Sequence, residues 1–204
     1  MRRRSFLSAA AAASFAGGLR LNAIPRASSP PNILFLTADD LNWNSMGAYG
    51  CRIKDITPNL DRLAGEGMQF MRAYSTIAVC RPVRATMHTG LYPHHSGCEG
   101  FEPIRADVTT LNEALHKGGY LSSMMGKNVH YEPHAKFCID KEQSGGNRDP
   151  EACAAFTRDF LSQAKALGKP FFHQVNFGDP HRPFWDEGEG QGKRGKSIPP
   201  PSRV

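Results

Sequence analysis

The chain reads as an α/β protein with a mostly parallel sheet and helices on both faces. Three observations carry that reading. Short apolar runs rich in strand formers alternate with capped helical stretches. The first of them, residues 32–38, reads as a buried strand, as strands covered on both faces do. Polar clusters follow them directly, and sheets of this class bind ligands beyond the carboxyl ends of their strands.

The elements follow in order. Residues 32–38, "NILFLTA", form the first expected strand, and Asp39-Asp40 stand at its end. In "TPNLDRLAGEG", Thr57 is the expected N-cap, Pro58 opens the helix and glycines close it. "MQFMRAY", 68–74, is a second strand candidate. "CRPVRATMHTG" is a helix with Pro82 in its first turn and Gly90 at its stop. Thr110 and Glu113 make a capping box for "TLNEALHKGG", which ends at Gly118-Gly119. "YLSSMMG" is the next strand, with Lys127 after it. Asp149-Pro150 opens a helix that runs to about Gly168. "PFFHQVNF" is the last strand, followed by Asp179-Pro180-His181. Residues 186–204 are glycine, charge and proline, and read as loop. Asp39/Asp40, Lys127, His181 and the helix start at Cys80 therefore point to one edge of the sheet, and a helix start favours an anion.

The chain has 204 residues, of which 40% are hydrophobic and 22% charged, and it is long enough to bury a core. Its formal charge of +6 is concentrated at the start, in Arg2, Arg3, Arg4, Arg20 and Arg26. Without that segment the chain is close to neutral. No basic helix or interleaved aromatic stripe supports a nucleic-acid partner. Arg3-Arg4-Ser5-Phe6-Leu7 matches a twin-arginine export pattern, with a Sec signal or a polar tail as the alternatives. The alanine-rich run that follows, 8–18, is too short to span a membrane stably. Residues 1–30 are thus expected to be export signal and linker, 31–185 the folded part, and 186–204 a loop.

Taken singly, each polar group is open to two readings. Adjacent Asp39 and Asp40 suit a hard divalent cation, or a solvated turn. Cys80 can be a nucleophile, a buried thiol or half of a disulfide; none of the five cysteines forms a CxxC pair. Three residues separate Cys80 from Arg84, whereas a tyrosine-phosphatase loop needs five. His94 and His95 carry no assigned role, and the histidines lack the tight spacing of a zinc site.

The string Cys80-x-Pro82-x-Arg84, followed by Thr89-Gly90, resembles the signature of the sulfatase family, within the alkaline-phosphatase-like superfamily. The resemblance continues in "PNILFLTADDLNWNSMGAYG", "TPNLDRLAGEGMQF", "TGLYPHHSG", "MGKNVH" and "DPHRPF", and covers most of 31–185. It implies that Cys80 is oxidised after translation to formylglycine by a maturation enzyme. The hydrated aldehyde then attacks sulfur with one hydroxyl and expels sulfate with the other. It also implies that Asp39, Asp40 and residue 80 hold a divalent cation, Ca²⁺ in this family. By the same resemblance Arg84 holds the formylglycine, Lys127 binds a sulfate oxygen, His130 orients or deprotonates the diol, and His181 touches sulfate or protonates the leaving atom.

The pattern departs from the family in three places. Val83 stands where serine or alanine is most common. His130 follows Lys127 by three residues rather than two. Family members are much longer, and their remaining metal ligands lie after the "PHRP" motif. The expectation is the N-terminal part of a periplasmic or secreted sulfatase acting on a sulfated sugar, nearest the N-sulfoglucosamine sulfohydrolase branch. The alternatives are a phosphonate or phosphate monoester hydrolase of the same superfamily, an inactive truncated fragment, and a structural disulfide protein.

Overall fold

Four segments pair into one parallel sheet. They are β1 (Ile33–Asp39), β2 (Leu121–Met125), β3 (Lys141–Gln143) and β4 (Phe171–Pro180), in the spatial order β1-β4-β2-β3. The computed structural model describes residues 29–182. The chain divides into units Met1–Pro30 and Pro31–Val204, and all the elements here belong to the second. The expected export signal, the loop at 186–204 and the last residues of "DPHRPF" lie outside the described residues.

The α-helices among the described residues are α1 (Pro58–Glu66), α2 (Cys80–Thr89), α3 (Pro93–Ser96), α4 (Leu111–Lys117) and α5 (Pro150–Leu167), and all but α3 follow from their expected local signals. The capping box of α4 forms as expected, with Thr110 Oγ1 accepting from the Glu113 amide and Glu113 Oε2 from the Thr110 amide. Asp149 caps α5, and Gly90 and Gly168 end α2 and α5 in the left-handed conformation. Thr57 precedes α1 but its hydroxyl does not cap it. It accepts from the Gly47 amide and donates to Asp61 instead.

Strand alternation assigns the two faces. Met124 packs with Ala85 of α2, Tyr131 and Phe137 on one side. Its neighbour Met125 packs with Cys153 and Phe156 of α5, and with Val175, on the other. Leu121 meets Phe160 and Ala164 on that same α5 side. Helices thus flank both faces, and β2 is buried at every residue although Ser122 and Ser123 interrupt its apolar side chains. Strand β1, expected to be covered on both faces, instead leaves Leu34 and Leu36 exposed on one of them.

Residues 68–74 are not a strand. A strand needs a neighbour for its backbone groups, and β1 pairs only with β4. Two short elements, β3 and α3, carry no strong local signal and were not expected. All five cysteines are free, so none is committed to a disulfide. No helix among the described residues is long and apolar enough to cross a membrane.

Candidate active site

The site forms where β1 and β4 end beside the start of α2. The register of β1 on β4 slips after Ala38, which sets Asp39 opposite Pro180 and next to His181. Asp39 is buried, and Asp40 beyond it is exposed at φ 59°. Cys80 is itself the first residue of α2, so it sits among amide groups that the helix leaves unpaired. Asp39, Asp40, Cys80 and Arg84 line one cleft of about 340 Å³, with Val83 and Met87 on its helical wall.

Arg84 is buried beneath this cleft. Its Nη1 donates to Asn176 Oδ1 at 2.7 Å and to the Tyr131 hydroxyl at 3.1 Å, and its Nη2 lies 3.4 Å from Asp39 Oδ1. The other Asp39 oxygen is ion-paired with Lys127 Nζ. Burial pushes the Asp39 carboxyl up, but the Lys127 ammonium, with Arg84 and His181, outweighs it and leaves the group below the usual carboxylate range. His181 Nε2 stands 3.9 Å from Asp40 Oδ2.

Lys127 reaches Asp39 because β2 ends in a sharp turn. Gly126 (φ 75°) and Lys127 (φ 59°) are both left-handed. A side chain at Gly126 would lie 2.6 Å from the Asn176 carbonyl oxygen, so only glycine fits there. A non-glycine residue held at positive φ is strain of the kind that gathers at functional sites.

His130 is drawn into the same field without a hydrogen bond to Asp39, Asp40, Cys80 or Arg84. Burial, and then the charges of Lys127, Arg84 and Arg81, push its imidazole down to about 4, so it is neutral at pH 7. Its buried Nδ1 has no partner. Arg81 holds the surrounding loops by donating to the carbonyls of Phe101 and Val129, both at 2.6 Å.

The structure thus brings together six of the seven expected residues, four in the cleft and two through ion pairs, and sets His130 nearby. For a divalent cation, Asp39 and Asp40 supply oxygen donors of the right kind. Among the described residues no group of three or more His, Cys, Asp or Glu surrounds a common point, so these two carboxylates fit as part of a shell. Sequence reasoning missed Arg148, Asn147 and Asn176. Arg148 donates at 2.6 Å to Asp179 and to the His181 carbonyl, and the Asn147 carbonyl accepts from Gly178; together they fasten the end of β4. The one signal for Asn176 is that it belongs to a strand which also carries His173 and Gln174, so nothing in the sequence sets it apart from them.

A family model described as Sulfatase matches residues 31–201. The chain is 41% identical over 108 residues to arylsulfatase A of Bos taurus, covering 50% of this chain and 21% of that protein. It is 31% identical over 166 residues to an ulvan-active sulfatase of Formosa agariphila, covering 78% and 32%. A solved structure described as a complex with its substrate D-glucosamine-2-N,6-O-disulfate matches with a TM-score of 0.63 at 27% identity. That match covers 74% of this chain and 35% of the other. The chain therefore spans about a fifth to a third of the relatives it matches.

Proposed function

The chain belongs to the sulfatase family, and on that premise we propose that it is the N-terminal part of a hydrolase of sulfated sugars, reacting through residue 80. The observation that supports this reading is the single cleft shared by Cys80, Asp39, Asp40 and Arg84, with Lys127 paired to Asp39. Cys80 is converted by a maturation enzyme, which supplies the oxidant and replaces thiol by aldehyde. The hydrated aldehyde provides a nucleophilic hydroxyl and a second one that releases sulfate. Asp39, Asp40 and the oxygen of residue 80 would hold a divalent cation, Ca²⁺ by family resemblance, which polarises sulfate oxygens.

The remaining work belongs to the chain's own side chains. Arg84 keeps a fixed positive charge under residue 80, where burial strengthens its effect on an anion. Lys127 offers its ammonium to a sulfate oxygen. Neutral His130, with its bare Nδ1, takes the proton from the nucleophile. His181 hydrogen-bonds sulfate or protonates the leaving atom. The names of the relatives support a sulfated saccharide, and the "GKNVHYEP" string favours the N-sulfoglucosamine sulfohydrolase branch. Export to the periplasm or beyond, through the twin-arginine pattern, completes the reading.

The test uses the 204-residue chain coproduced with a maturation enzyme. Trypsin releases the peptide 73–84, because the Arg81-Pro82 bond resists cleavage. The expected mass shows loss of H₂S and gain of one oxygen. The converted protein should also release sulfate from glucosamine N- or 6-O-sulfate faster than phosphonate from a phosphonate monoester. An unmodified thiol, or a preference for the phosphonate ester, overturns the reading.

A further inference from the structure

We propose that Asn176 is a positioning residue that sets both cations of the site, buried Arg84 directly and part-buried Lys127 through the turn before it. The inference rests on the sulfatase reading only for what those cations do, not for how they are held. Asn176 is fully buried on β4, opposite Thr37 of β1. Its Oδ1 accepts from Arg84 Nη1 and Thr37 Oγ1, both at 2.7 Å, from Gln174 Nε2 at 3.0 Å and from the Tyr131 hydroxyl at 3.1 Å. Its Nδ2 donates to the carbonyls of Gly126 at 2.9 Å and Met125 at 3.3 Å.

The two ends of this amide cannot be exchanged. One faces only donors, and the other faces two carbonyl oxygens, so the network fixes the orientation. The Oδ1 end takes the shortest hydrogen bond that Arg84 makes, shorter than the 3.4 Å contact with Asp39. Arg84 is thus aimed by a neutral amide, and the carboxylate is left to Lys127. The Nδ2 end grips the Gly126 carbonyl. That oxygen belongs to the same rigid peptide plane as the Lys127 N–H. Fixing the plane fixes the left-handed turn from which Lys127 reaches Asp39.

Two substitutions separate the two arms. Asn176→Asp keeps an oxygen for Arg84 but removes the donor to Gly126. Asn176→Leu removes both. The readouts are NMR signals of the 204-residue chain with no substrate present. Hindered Nη–H resonances report a held Arg84 guanidinium, and the order parameter of the Lys127 amide reports the turn. In the unsubstituted chain the Arg84 resonances should be resolved and the Lys127 amide rigid, near 0.85. Asn176→Asp should keep the Arg84 resonances and drop the Lys127 value below about 0.6. Asn176→Leu should lose both while amide shifts in α5 stay in place. It should also weaken binding of inorganic sulfate by about tenfold, the size of a hydrogen bond to a charged group.

Unchanged Arg84 resonances in Asn176→Leu, or a Lys127 amide that stays rigid in Asn176→Asp, overturn the proposal. If Asn176→Leu does not fold, the Lys127 amide in Asn176→Asp decides it alone. The sulfatase reading fails separately, through an unsubstituted chain that binds no sulfate while its Arg84 and Lys127 signals behave as stated.

Discussion

The strand β2 and the stretch 43–79 obey the same local rules and end in opposite environments. Every residue of β2 is buried, whereas no residue of 43–79 is. The second region is not poor in apolar side chains. Leu63, Met68, Phe70, Met71 and Tyr74 are all at least 60% exposed. Its helix α1 forms because a helix satisfies its own backbone, and polar pins hold it to the preceding loop. Thr57 and Asp61 accept from the amides of Gly47 and Ala48, and Gln69 donates to the Ala48 carbonyl. The expected strand at 68–74 does not form because a strand needs a neighbour. Capping and hydrophobic period thus specify an element's type, while burial depends on what lies across from it.

The largest effect that should sharpen this contrast is in the packed region. Phe160 is fully enclosed against Leu121, Ala164 and Phe171 and stacks on His173. Phe160→Ala should cost about 3–5 kcal/mol of unfolding free energy, measured by urea titration. A cost below about 1 kcal/mol would mean that this face of the sheet is not a closed core.

Acid should loosen the same region next. His88 and His173 are buried, and burial pushes both imidazoles down to about 4 from 6.5. His88 Nδ1 bonds Asn112, and His173 lies between the hydroxyls of Ser123 and Thr157. Because the folded values are depressed, the unfolded chain binds protons first as pH falls. The stability these groups contribute is full above 6.5 and drains as pH drops toward 4. No histidine lies within 43–79. Protection of amides, taken relative to the intrinsic exchange rate at each pH, should therefore fall in β2, β4 and α2 across that window, while protection within 43–79 changes little. An equal fall in both regions would break the comparison.

The fold and the site were legible in the sequence to different depths. Three of the four strands and four of the five helices announce themselves through caps, period and Pro-Gly punctuation. The site was readable as a set of strand ends, since Asp39, Lys127 and His181 each follow an apolar run. What holds the set together was not readable. Asn176 looks no different from its strand neighbours His173 and Gln174 until Arg84 and Gly126 are seen on either side of it, and Arg148 becomes a clamp only once β4 returns past it. These partners lie 31 to 92 residues apart in the chain, beyond any local spacing rule.

The smallest expected effect tests the exposed region directly. Phe70 is 65% exposed, and its carbonyl accepts from the Tyr49 hydroxyl while its ring adds nothing to a buried cluster. Phe70→Ser keeps that backbone contact and removes only the ring. The change in unfolding free energy should stay within about 0.5 kcal/mol, as for other surface positions away from caps and networks. Burial of a phenylalanine is worth about 1.5–3 kcal/mol, so a loss of that size in the 204-residue chain would show the ring to be covered in solution. The apolar side chains of 43–79 would then be half of a contact, and the difference from β2 would be one of partner rather than of sequence.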